Sequence, residues 1–400
     1  MSKNLILAIV LLVVAVLIGI IALVGFFGEN TKEVQNSSTV INENTEENQN
    51  SFLSVSENNN ENNQPNISEA PQSEVVAENL NTPWAIAWLP DSSMFVTERP
   101  GRVRFVDSSG NLVSEPVVEV SNVLEIGEGG LLGMALHPDF AQNKYVYLYY
   151  THSDDGANTT NRVVRMVYQD GRLGDEQIII DKIPGAANHN GGRLKFGPDG
   201  LLYVTTGDAG NPSVAQDMDS LGGKILRVTD EGAAAPDNPF GNLVYSYGHR
   251  NPQGLAWDSE NRLWATEHGR SGAQSGFDEL NLIEKGANYG WPEIEGDETR
   301  EGMTAPVLHS GSTVTWAPAG MAYFSESVYF GGLRGQALYE ATIGAAETEL
   351  LQHLAGEVGR IREVILGPDG LIYITTSNRD GRGNPAETDD RIIRINPAKL

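Results

Sequence analysis

LKFGPDGLLYVTTGD, from Leu194 to Asp208, writes a strand, a turn and a second strand without interruption. Pro198 presets φ for a type I turn and Gly200 takes the position that needs φ > 0. Alternation in LLYVTTG then marks a half-buried strand. VILGPDGLIYITTSN, Val364 to Asn378, repeats the unit closely, and looser copies stand at AIAWLPDSSMFVTE (Ala85 to Glu98), MALHPDFAQNKYVYLYY (Met134 to Tyr150), LAWDSENRLWATEHG (Leu255 to Gly269) and MAYFSESVYFGG (Met321 to Gly332). Six copies make six candidate blades, and radial repetition leaves only short, protected sheet edges. An α/β fold would need helical crossovers, and few segments carry a 3.6 period. The expected fold is therefore all-β: a six-bladed β-propeller over residues 75–400. A first strand near Val75 to Leu80 and a last one near Arg391 to Ile395 are expected to pair and close the ring.

Composition agrees with this and narrows the function. Forty-four glycines suit a chain of many tight turns. The 53 acidic against 27 basic residues, a formal charge of -26, argue against nucleic acid or an anionic membrane surface held through a general field. With no cysteine, disulfides, thiolate metal sites and a lipidated cysteine anchor are excluded.

The front of the chain differs from its body. Leu5 to Phe27 is apolar without one charge, long enough to span a hydrocarbon core as a helix. A cleaved signal peptide is the rival reading, but its apolar region is usually shorter and ends in a small-residue site, which Ala22-Leu23-Val24 matches poorly. Residues 1–27 are expected to be a transmembrane anchor, with Lys3 pointing the N-terminus inward and the propeller outside the cytoplasm. Residues 28–74, rich in Asn, Glu and Ser, bury too little apolar area to order and read as a disordered tether.

Polar clusters stand just outside the repeated strands, where propellers gather function at one channel mouth. Asn188-His189-Asn190-Gly191-Gly192 offers an imidazole on a loop bordered by glycines, with a pKa suited to taking a proton near neutrality. In Tyr247-Gly248-His249-Arg250-Asn251, Arg250 and Asn251 suit a carboxylate or a quinone oxygen. Thr266-Glu267-His268-Gly269-Arg270 leads on to Asp278-Glu279 and Asn288-Tyr289, carbonyls and carboxylates that suit calcium. In Arg360-Ile361-Arg362, two guanidiniums on one strand face want an anion or a cross-strand acid. Each cluster also has a bland reading as a solvated loop.

In their order, EGGLLGMALHPDF (Glu128 to Phe140), HNGGRLKFGPDG, LGGKILRV, YGHRNPQGLAW, FDELNLIEKGANYGWP, TWAPAGMAYF and GRIREVILGPDG resemble the glucose/sorbosone dehydrogenase family, the soluble quinoprotein aldose dehydrogenases. The resemblance runs from about Leu80 to Pro397. It implies oxidation of an aldose to a lactone, with pyrroloquinoline quinone (PQQ) and Ca²⁺ as cofactors. His189 would be the base that takes the anomeric hydroxyl proton, Arg250 and Asn251 would hold the quinone oxygens, and Arg334, Arg360 and Arg362 would bind the cofactor's carboxylates. Gly269 and Arg270 would give carbonyls to a catalytic calcium. Asp278, Glu279 and Tyr289 would form a second calcium site, and Trp316 would flank the cofactor plane.

Glu128 departs from the family, which commonly has glutamine there, and a carboxylate beside a tricarboxylate is unfavourable unless cations compensate. The family resemblance also implies an external electron acceptor, a membrane quinone or a cytochrome, since no C-x-x-C-H haem motif is present. Two other readings stay open: a cell-surface propeller that binds without catalysis, and a calcium-dependent propeller lactonase. The first would be expected to lose His189, Arg250, Arg360 or Arg362; the second needs more channel acids than these loops offer.

Overall fold

The Pro-Asp-Gly segments fold as their chemistry dictates. In the computed structural model, which describes residues 69–400 apart from 155, 157, 273, 274 and 344–347, Gly200 and Gly370 adopt φ of +75° and +76°. Their N–H groups donate to the Gly197 and Gly367 carbonyls at 2.9 and 3.0 Å, and those glycines donate in turn to Leu201 and Leu371. This is a three-residue hairpin loop, a type I turn followed by a left-handed residue. In two other copies Ser92 and Asn261 fill the left-handed position, at φ +66° and +60°.

Each sequence copy supplies the first two strands of one antiparallel four-stranded sheet, and there are six sheets. The protein is an all-β six-bladed propeller. The first strands of blades 1 to 6 are Pro83–Trp88, Leu131–Leu136, Leu194–Phe196, Pro252–Trp257, Pro318–Phe324 and Ile361–Leu366, and neighbouring blades meet along them. Between blades the second strands bury Phe95, Val96, Tyr147, Leu148, Val204, Phe330 and Ile374 completely, each worth about 1.5–3 kcal/mol relative to exposure.

The ring closes in blade 6, where Ser73–Ala77 pairs antiparallel with Ile392–Ile395. The opening strand starts and ends earlier than the expected Val75 to Leu80, and the ordered body begins before residue 75. Asn79 and Thr82 have φ of +61° and +51°, which no strand accommodates, so pairing stops at Ala77. Beyond it Leu80 and Asp390 exchange backbone hydrogen bonds at 3.0 and 3.1 Å.

The apolar run Leu5 to Phe27 and residues 28–68 of the expected tether lie outside the described residues. Among the described residues no helix is long and apolar enough to cross a membrane.

This topology positions the site. Each first strand is entered from a loop, and several site residues stand on entry loops: Glu128 before Leu131, His189 before Leu194, Arg250 and Asn251 before Pro252, Trp316 before Pro318 and Arg360 before Ile361, while His268 to Arg270 follow the second strand of blade 4, Leu263–Glu267.

Candidate active site

His189 sits in the left-handed region at φ +56°, an uncommon conformation for a residue with a β-carbon. Its N–H donates to Glu128 Oε2 at 3.2 Å, and its carbonyl accepts from Ala209 N at 3.1 Å. Gly207 makes the fit possible, since a β-carbon there would lie 1.9 Å from the His189 carbonyl oxygen. The imidazole Nδ1 lies 2.7 Å from Asp208 Oδ1, and Nε2 lies 2.9 Å from Arg250 Nη2. A guanidinium can only donate, so Nε2 is the acceptor and Nδ1 carries the proton towards Asp208. The other Asp208 oxygen accepts from the Trp291 indole at 2.9 Å, and Arg250 lies over the Trp291 ring, 5.3 Å from its centroid.

Arg250 is buried and held from several sides. Its side chain donates to Ser271 Oγ at 2.8 Å and to the His268 carbonyl at 3.3 Å; its backbone N–H donates to Glu267. Desolvation pulls its pKa down against Asp208, Glu267, Glu128 and Asp278, which pull it up. Asn251, fully buried, accepts from Gly191 N at 2.9 Å through Oδ1, while its Nδ2 has no partner.

Beside this group lies a cavity of about 400 Å³ lined by Glu128, Gln253, His268 to Ser271, Asp278, Arg334, Arg360, Arg362 and Arg382, among others. In a chain of formal charge -26, cations gather here. Arg360 is neutralised by Asp380 at 2.8 Å, the cross-strand-acid alternative raised by the sequence. Arg362 is not: among the described residues no carboxylate lies within salt-bridge distance of it, its one hydrogen bond is to Gln253 Oε1, and its Nε is buried without a partner. Burial pushes its pKa down to about 9. Among the described residues the Arg334 side chain donates only to Ser275 Oγ, at 3.1 Å. His268 is a buried ring with an unpartnered Nε2, held neutral by desolvation and by Arg362 and Arg250 nearby. Buried donors without acceptors cost about 1–3 kcal/mol each, so this wall is built for an oxygen-rich anion.

Glu128 is compensated. Its Oε1 pairs with Arg382 at 3.2 Å while Oε2 takes the His189 N–H.

The calcium candidates divide. Gly269 N donates to Asp278 Oδ1 at 2.9 Å, and Asp278 Oδ2 accepts from Trp316 and Ala317 N at 2.6 and 2.9 Å. Asp278 is thus a buried knot tying three backbone segments. The Arg270 carbonyl accepts from Gly276 N at 3.3 Å, and its side chain pairs with Glu295 at 2.7 Å. Glu279 pairs in register with Glu267 across two strands; burial, then the Glu267 charge, pushes its pKa up to about 8. The Tyr289 side chain is used elsewhere, stacked on His249 with ring centroids 4.8 Å apart and donating to the Leu282 carbonyl at 2.5 Å. Among the described residues no three His, Asp or Glu side chains converge as a metal site.

Trp316 is a correction. Its ring is buried against Phe330 and Tyr339, with centroids 5.6 and 5.7 Å away, in the blade 5 core and off the cavity wall; the aromatic ring beside Arg250 is Trp291. Sequence reading also passed over Asp208 and Arg382, and named His268 without giving it a role. Asp208 ends the third repeat copy and His268 stands next to the last residue of the fourth, so their place after a repeated strand was a usable signal; Arg382 carries none.

The glucose/sorbosone dehydrogenase family model matches residues 80–393. An aldose sugar dehydrogenase of Escherichia coli is 35% identical over 343 residues, covering 77% of this chain and 90% of the relative. Quinoprotein glucose dehydrogenase B of Acinetobacter calcoaceticus is 35% identical over 262 residues, covering 57% of this chain and 54% of the relative. The PQQ-bound structure of a Streptomyces coelicolor aldose sugar dehydrogenase superposes with a TM-score of 0.74 at 43% identity, covering 81% of this chain and 98% of that one.

Proposed function

Because this chain belongs to the glucose/sorbosone dehydrogenase family, we propose that it oxidises aldose sugars to lactones with PQQ held in the arginine-lined cavity. The observation that carries this reading is Arg362, a buried guanidinium with an unpartnered Nε and no carboxylate to neutralise it. Asn251 Nδ2 adds one more unpartnered donor. Carboxylate and quinone oxygens are the acceptors these groups lack. Arg362, Arg334 and Arg360 would hold the carboxylates; Arg250 and Asn251 would hold quinone oxygens. When bound, the quinone supplies the two-electron acceptor for the anomeric hydride.

The protein's part is to hold and move the proton. His189 Nε2, the free-base nitrogen in this tautomer, takes the proton of the anomeric hydroxyl. Asp208 fixes the ring through Nδ1–H and stabilises the imidazolium that forms, the same support an aspartate gives a catalytic histidine in hydrolases. Loss of that proton and of the C1 hydride turns the hemiacetal carbon into the lactone carbonyl. Arg250, held by Ser271, the His268 carbonyl and Trp291, presents its charge from a fixed position, and its Nη2 contact with His189 Nε2 opens as the substrate hydroxyl takes that place.

Ca²⁺ belongs to the same proposal. The Gly269 and Arg270 carbonyls would hold one ion, and Glu279, Asp278 and the Tyr289 carbonyl a second, where a cation would relieve the Glu267–Glu279 repulsion. Residues 5–27 would anchor the propeller outside the cytoplasm, and the electrons would pass to an external acceptor.

Calorimetric titration of the purified protein with PQQ and Ca²⁺ tests the reading. Saturable binding that weakens in Arg362→Ala is expected; absence of binding by wild type would refute it.

A further inference from the structure

The site-bearing loops enter the first strands at one end, and the later halves of those strands enclose a second cavity, of about 230 Å³. Its walls are mostly apolar, with Ile86, Met134, Leu136, Phe196 and Met321 among them. A polar layer separates the two cavities: Gln253 and Arg362 line the first, Arg193 and Glu363 line the second. Arg193 Nη1 donates to Glu363 Oε2 at 2.5 Å and Nε to the Gln253 carbonyl at 2.9 Å.

Among the described residues the second cavity carries side-chain donors that lack acceptors. Arg193 is only 6% exposed, and its Nη2 has no acceptor. Among the described residues the Lys195 ammonium donates only to the Leu255 carbonyl, at 3.1 Å, although an ammonium carries three donors. The Trp88 indole N–H is buried without an acceptor. The one acid, Glu363, is committed: Oε2 accepts from Arg193 and from Ile86 N at 3.4 Å, and Oε1 from Val364 N at 3.0 Å. Two cations against one carboxylate leave a single positive charge inside apolar walls. A phosphate dianion would exceed that charge, and its hydration is poorly replaced by methionine and phenylalanine.

We propose that this cavity is a second binding site, separate from the redox site, for a small monocarboxylate with an apolar body. The carboxylate would take the spare protons of Lys195, Arg193 Nη2 and Trp88 Nε1, and the alkyl or aryl body would lie against Met134, Phe196 and Met321. The proposal does not depend on the quinone reading. Burial, with Arg193 beside it and Glu363 opposing, pushes the Lys195 pKa down to about 8. Affinity should therefore be full between the ligand's own carboxyl range and that value, and fall as pH rises through it, because the ammonium discharges.

The test titrates the full chain with hexanoate, hexanol and inorganic phosphate at constant ionic strength. Calorimetry reads binding, and mass spectrometry reads protection of Lys195 from reductive methylation. Saturable hexanoate binding with protection of Lys195 is expected, lost in Lys195→Met, weakened in Trp88→Phe, and at least tenfold tighter than hexanol or phosphate. If Lys195→Met does not fold, Trp88→Phe and the protection assay decide. Hexanol binding as tightly as hexanoate, phosphate binding more tightly, or no saturable binding would each overturn the proposal.

Discussion

Arg362 and Arg360 stand two residues apart, yet their surroundings give them different work. Asp380 neutralises Arg360 at 2.8 Å, whereas Arg362 has only Gln253. Arg362→Ala should therefore weaken PQQ binding by the worth of a charged hydrogen bond, about 1.5–3 kcal/mol, roughly ten- to hundredfold in Kd, as calorimetry would measure. His189→Ala should leave that affinity nearly unchanged and lower turnover about 10²- to 10⁴-fold, the usual cost of a lost general base. Glu128→Gln keeps an acceptor for the His189 N–H but releases Arg382, so PQQ should bind more tightly, and Arg382→Ala should do the reverse. Glu279 gives a pH signature. Its folded-state pKa is raised to about 8, so between the ordinary glutamate range and that value the folded state keeps a proton the unfolded chain has released. Stability of the metal-free protein should fall as pH rises through this window, and thermal melts with added Ca²⁺ should show the fall removed, because a bound cation favours the carboxylate. The paired arginines and the lone histidine were legible because each stands beside a repeated strand. The Arg382–Glu128 pair was not, since it joins residues far apart in sequence that only ring closure brings together.

At the level of the element, the two Pro-Asp-Gly turns were legible down to the residue at positive φ, because proline fixes φ and glycine reaches positive φ without steric cost. In two of the looser copies the same corner is held by serine or asparagine, which must accept a left-handed conformation that costs L-residues about 1–2 kcal/mol. Ser92 is exposed at φ +66°. Ser92→Gly should recover part of that cost, about 0.5–1 kcal/mol, as a higher urea midpoint with unchanged slope, and Gly200→Ala should lower it. Trp316 shows where element-level reading stops. Its neighbours in sequence are at the site, but its ring turns to Phe330 and Tyr339, and strand periodicity gives no warning of that where the chain is not yet a strand.

For the whole molecule, ring closure was legible from the need to protect two sheet edges, although its first strand ends at Ala77, where positive φ at Asn79 and Thr82 stops the pairing. Removing residues 1–68 should leave the melting temperature unchanged. Removing residues 1–79 should lower it by several degrees, since the Ile392–Ile395 strand then loses its outer partner and keeps only Ile372–Thr376, and Asn396 loses its bond from N to the Gln72 carbonyl. The propeller brings to one mouth a proton acceptor fixed by Asp208 and a guanidinium that lacks an anion. The most direct test is a single turnover. Protein loaded with PQQ and Ca²⁺ is mixed anaerobically with an aldose while the quinone absorbance is followed. Wild type should convert the oxidised spectrum to the reduced one, and His189→Ala should do so about 10²- to 10⁴-fold more slowly with the same final amplitude. A loaded protein whose spectrum no aldose changes, or a His189→Ala variant as fast as wild type, would contradict the account.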